Sequence, residues 1–112
     1  MKDGIYSVSF SSSAHSTGEG LVVVKAGSVN GGDVGYLYIG HLTTNGDALS
    51  GQLEIKRWNQ ARVSIFGPLD CFALSLAGKA DAANDTFRVS GGVAGQPSLT
   101  ISIAGRLLSQ AA

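Results

Sequence analysis

Apolar residues recur at every second position along most of the chain, and this period of two constrains the fold more than any other feature. Tyr6, Val8 and Phe10 alternate with Ser7, Ser9 and Ser11, and Tyr36, Tyr38, Gly40 and Leu42 share one side against Leu37, Ile39 and His41. Leu49, Gly51, Leu53 and Ile55 repeat the pattern, as do Phe72, Leu74 and Leu76, then Phe87 and Val89, then Leu99, Ile101, Ile103 and Leu107. A strand sends successive side chains to opposite faces, so each run reads as a strand with one face turned to a core. "GLVVVKAG" is a further strand, apolar throughout. Turn signals separate the runs: "SVNGGD", "NGD" at residues 45–47, and "ADAAND". The expectation is an all-β fold of seven to eight short antiparallel strands, a barrel or a sandwich. Gly40, Gly51, Gly78, Gly91 and Gly105 fall within or near strands. Glycine there permits sharp coiling and close backbone approach, and closure removes exposed edges, so a small antiparallel β-barrel is favoured. One stretch, "NQARVSIFGP" at residues 59–68, fits neither period. A short helix or helical turn, with Asn59 as its cap, is expected there to close one end of the core. Residues 1–108 are expected to form a single domain and 109–112 a short C-terminal tail.

Charge narrows the classes of partner. Lys plus Arg and Asp plus Glu are both 8, so no basic balance points to nucleic acid or to an anionic membrane. No run approaches the ~18 apolar residues of a membrane-spanning helix. Cys71 is the single cysteine, which fits a reducing compartment, and "MKDGIYSVSF" lacks an apolar signal region. A soluble, cytoplasmic chain is expected. Charged residues are only 14 %, below the ~25 % usual for soluble proteins, and zero net charge leaves copies without mutual repulsion. With apolar residues on both faces of "GLVVVKAG" and "YLYIG", homodimerisation is expected, with Leu21, Val23, Leu37 and Ile39 as the candidate dimer face.

The glycine-rich "AGSVNGGDVGYLYIG" raises the question of a phosphate cradle, but a cradle needs N–H groups converging at a helix N-terminus, and a strand pattern follows instead. His15, His41 and Cys71 are too few and too dispersed for a zinc motif or a nucleophilic site, and Cys71 reads as a small buried or half-buried thiol. The aspartates fall almost entirely at turns, where carboxylates satisfy backbone donors. "KRWN" at residues 56–59 lacks the wide basic field of a stacking platform, so Trp58 is expected at a barrel end or an interface where its N–H finds a partner. No catalytic residues, cofactor or metal are expected, and the chain is expected not to be an enzyme.

"MKDGIYSVSF", "GEG" at 18–20, "GGD" at 31–33 and "YLYIGHL" at 36–42 resemble the GrlR-like family, negative regulators of type III secretion genes in enteric pathogens. "KRWN" and "LDCFALSL" are similar to that family's stretches after its fourth strand, and the resemblance is strongest over residues 1–59. It implies a lipocalin-like barrel with a short helix and an apolar cavity, a homodimer, and sequestration of a transcriptional activator through an acidic Glu-Asp-Glu-Asp motif. The matching positions are Thr43, Thr44, Asn45, Gly46 and Asp47, where one carboxylate remains; Asp81 and Asp85 are the alternative source of an acidic surface. Two functions stand side by side: a regulatory protein-binding barrel, and a carrier or sensor of a small apolar ligand. For the second, Tyr6, Phe10, Tyr36, Tyr38, Phe72 and Phe87 are the candidate cavity lining.

Overall fold

The computed structural model describes residues 1–13, 17–59 and 71–112. They form eight antiparallel strands: β1 (Gly4–Ser12), β2 (Thr17–Lys25), β3 (Ser28–Gly32), β4 (Tyr36–Asn45), β5 (Ala48–Arg57), β6 (Cys71–Asp81), β7 (Thr86–Val93) and β8 (Gln96–Ser109). Each strand pairs with the next, and β8 returns to β1, closing the barrel. Val8 faces Gly105 and Phe10 faces Ile103 across the closing seam. Closure gives every strand two partners and leaves no row of unpaired backbone groups.

The period of two becomes an inside and an outside. Tyr6, Val8, Leu53, Ile55, Leu74, Val89, Ile101 and Ile103 are all buried, Leu74 to 1 % exposure. Glycines on the inner face mark places where a side chain has no room. A Cβ at Gly91 would stand 1.7 Å from the Ser75 carbonyl oxygen on β6, and one at Gly105 would stand 2.0 Å from the Phe87 ring. The first is a close approach of two backbones in a tightly coiled sheet; the second is a glycine that leaves its space to an aromatic ring across the strand pair.

Two expectations need correction. All eight elements of the described residues are strands, with no helix among them, so the described barrel is built without the expected short helix or helical turn. Loss of the period of two over residues 59–68 is weak support for a helix, because no 3.6-residue pattern accompanies it in the sequence. Residues 60–68 of that span lie outside the described residues. Asn59 is described, and its side-chain amide donates to the Val34 carbonyl at 2.9 Å. The second correction concerns "SVNGG". Read as a turn, it is β3, paired on both sides. Its Asn-Gly and Gly-Gly pairs serve packing: a Cβ at Gly31 would stand 2.0 Å from the Leu21 carbonyl oxygen. The chain reverses one step earlier, at Ala26 and Gly27, with φ of 51° and 87°. Left-handed geometry at both central residues is that of a two-residue type I′ hairpin.

Alternation of strand direction sorts the connections into two ends. One end, the loop end, carries the β3–β4 loop at residues 33–35 and the β7–β8 turn at 94–95. The other, the hairpin end, carries residues 26–27, 46–47 and 82–85 together with both termini.

Candidate functional site

At the loop end, Asp33 organises the β3–β4 connection. Its Oδ1 accepts from the backbone N–H of Gly35 and of Tyr36, each at 2.8 Å, and its own N–H donates to the Tyr36 carbonyl at 2.9 Å. An aspartate that takes the N–H groups following it closes a local turn, which is why this residue type sits here. Its Oδ2 accepts from the Tyr38 hydroxyl. Burial first, and then the Asp33 carboxylate, push the Tyr38 phenol well above its ordinary value.

The end of β5 pins the same loop. Trp58 N–H donates to the Gly35 carbonyl at 3.0 Å, and Trp58 Nε1 donates to the Asp33 carbonyl at 3.1 Å. The indole N–H thus has a partner at the barrel end while the ring stays 54 % exposed. Arg57 Nε donates to the Tyr36 hydroxyl at 3.1 Å, with the guanidinium 5.8 Å over that ring.

Below this loop is a cavity of about 250 Å³. Of the aromatic residues singled out in the sequence, Phe10, Tyr36, Tyr38 and Phe72 line it, with Leu74 and Ile103 deeper in. Phe10 and Tyr38 meet edge to face at 5.3 Å. Tyr38 fits because β2 offers glycine opposite it: a Cβ at Gly20 would stand 2.9 Å from the ring. Tyr6 and Phe87 lie elsewhere. They form a second edge-to-face pair at 5.5 Å, and the Tyr6 hydroxyl donates to the Lys2 carbonyl at 2.6 Å. That pair fills the hairpin end, so the aromatics divide into a lining set and a filling set. Asp33 was missed by sequence reasoning as a cavity residue; "GGD" before a tyrosine-rich strand is the signal that could have found it.

On the outside, Leu21, Val23, Leu37 and Ile39 are 38–52 % exposed. Register puts them in two rows across β3: Leu21, Gly32 and Leu37, then Val23, Asn30 and Ile39. The next strand over carries Lys56 and Glu54, paired at 3.5 Å. Cys71 is exposed beside them, its Sγ 3.6 Å from Glu54 Oε1. That corrects the expectation of a buried or half-buried thiol: with Phe72 turned inward, alternation turns Cys71 out.

At the hairpin end, Thr43, Thr44, Asn45, Gly46 and Asp47 are all exposed, with Gly46 at φ +65° opening the two-residue loop. Ala80 N–H donates to the Asp47 carbonyl at 2.8 Å, which ties this hairpin to β6. Asp81 is held within its own turn, accepting from Asn84 Nδ2 at 2.8 Å and from Ala83 N–H at 3.1 Å; the Asn84 bond leads in lowering its pKa. Asp85 pairs with Lys2 at 3.1 Å. His41 lies on the outer face of β4 opposite Gln52, away from Cys71. Among the described residues no group of three or more His, Cys, Asp or Glu could hold a metal ion.

Compared with known families, the chain matches a family model described as "GrlR: T3SS negative regulator, GrlR" over residues 1–111. No curated protein matches the chain.

Proposed function

The chain belongs to the GrlR family, non-enzymatic negative regulators of type III secretion that act through a regulatory protein partner, and from that premise we propose that it works in the cytoplasm as a homodimer that sequesters a transcriptional activator. The observation that carries the dimer is the outward apolar face of Leu21, Val23, Leu37 and Ile39 around the small Gly32 and Asn30. The barrel has already used its inner face for the core, so this face is left without a partner among the described residues. A two-fold axis through β3 would set the two rows of one copy against those of the other, since a dimer of this symmetry uses the same patch twice. Zero net charge leaves little repulsion to oppose it.

Sedimentation at micromolar concentration is expected to give twice the chain mass, and Ile39→Lys to give the chain mass with an unchanged β-sheet spectrum. A monomeric unsubstituted protein would overturn the dimer, and a dimeric Ile39→Lys would move it to another face.

A second reading is supported by the cavity at the loop end. An up-and-down barrel with an apolar cavity at one end is the arrangement lipocalins use to hold small molecules. In that lipocalin-like reading, Phe10, Tyr36, Tyr38 and Phe72 surround a small apolar ligand.

A further inference from the structure

The cavity is apolar along its walls and acidic at its rim. Among the described residues that line it, Asp33 and Glu19 are the charged groups, Glu19 on the outward parity of Leu21 and Val23, and no cation accompanies them. Arg57, the nearest cation in sequence to the lining tyrosines, directs Nε to the Tyr36 hydroxyl and its guanidinium over the Tyr36 ring. The Tyr38 hydroxyl donates its proton to Asp33, so toward the cavity it offers only lone pairs. The N–H groups of Gly35 and Tyr36 are directed to the same carboxylate. At Asp33 and Tyr38, what remains for a ligand's polar end is a set of acceptors with negative charge.

Resting on the cavity-ligand reading above, we infer that the site takes a small molecule of about one ring, with a hydrogen-bond-donating or cationic head at Asp33 and Tyr38, and rejects the matching carboxylate. Size follows from volume: a dry apolar cavity of ~150 Å³ holds benzene, so about 250 Å³ accommodates a ring with a short side chain. Head chemistry follows from charge. An amine or alcohol finds acceptors, whereas a carboxylate meets a like charge in a partly desolvated site and finds no cation among the described lining residues.

The test is calorimetric titration of the full chain with phenethylamine, phenethyl alcohol and hydrocinnamate, three ligands that share a phenyl ring and differ in the head. The amine and the alcohol are expected to bind, the cationic amine more tightly, and the carboxylate to bind at least about tenfold more weakly than either. Asp33→Asn, which keeps an oxygen to accept the Gly35 and Tyr36 N–H groups but removes the charge, is expected to abolish the amine's advantage over the alcohol. Leu74→Phe and Ile103→Phe, each checked for its β-sheet spectrum, are expected to abolish binding of all three by filling the cavity. A carboxylate that binds as well as the amine, or an amine preference that survives Asp33→Asn, overturns the head-group inference and leaves the cavity reading standing. Failure of all three to bind overturns the cavity reading itself, as does undiminished binding in a folded filled variant. The family's protein-binding role is untouched by either result.

Discussion

Asp33 shows how much one side chain can settle. It closes a turn through two backbone N–H groups, fixes the rotation of a buried phenol, and charges the rim of a cavity. Tyr38 bears the electrostatic cost of this arrangement: its burial and the adjacent carboxylate disfavour the phenolate, so its folded-state pKa lies above the unfolded value of ~10. The sign of the linkage is that of a raised pKa. The stability contributed by the protonated phenol is fully present below about pH 10 and declines as pH rises above it, because the unfolded chain gives up that proton more readily. Urea unfolding is expected to show stability falling as pH rises above about 10, and Tyr38→Phe to show a shallower fall over the same range. Some slope will remain in the variant, since burial and then Asp85 raise the Tyr6 phenol too. A slope unchanged by Tyr38→Phe would remove Tyr38 as its source.

At the scale of elements, the β2–β3 hairpin separates what local signals convey from what they conceal. The strongest turn signal in the region, "VNGG", is strand, and the true turn is "AG". Glycine is ambiguous because two different demands select it: a left-handed backbone, as at Gly27, and exclusion of a side chain by a neighbouring strand, as at Gly31. Sequence order does not distinguish them, since the second depends on which strand lies alongside. Ala26 occupies the left-handed position at φ 51° without glycine's freedom, its N–H donating to Asp3 Oδ1 at 3.0 Å. Left-handed geometry costs an alanine about 1–2 kcal/mol. Asparagine tolerates it better, and Asn-Gly is the preferred pair for this hairpin type. Ala26→Asn is therefore expected to raise stability by roughly 0.5–1 kcal/mol, read as a higher urea midpoint at unchanged slope. A lower midpoint would mean that the turn conformation is held by contacts the substitution disturbs.

At the scale of the molecule, charge bears on the partner. The hairpin tip at residues 43–47 carries Asp47 as its one carboxylate; of the other acids at that end, Asp3 and Asp81 accept from nearby N–H groups and Asp85 pairs with Lys2. A single carboxylate at the tip means little local attraction there for a basic activator. Binding to the activator of the enteric regulators through that tip is accordingly expected to be weak and to change little between low and high salt, since screening acts on charges that are mostly missing there. Thr43→Glu combined with Asn45→Glu is expected to speed association at low salt. Tight, strongly salt-dependent binding by the unsubstituted chain would place recognition on another acidic surface. The sequence by itself determined which residues face inward, because alternation is a local property of an extended backbone; the inward positions of Tyr6, Phe10, Tyr36, Tyr38, Phe72 and Phe87 all follow from it. Only the tertiary structure decided where along the barrel each of them falls. Phe10 lies opposite Gly18 at the loop end and Tyr6 opposite Val22 toward the hairpin end, and the register with β8 slips between Ile5 and Tyr6. Hydrogen-bond register between strands distant in sequence sets that position, and so sets which aromatics surround a cavity and which fill the core.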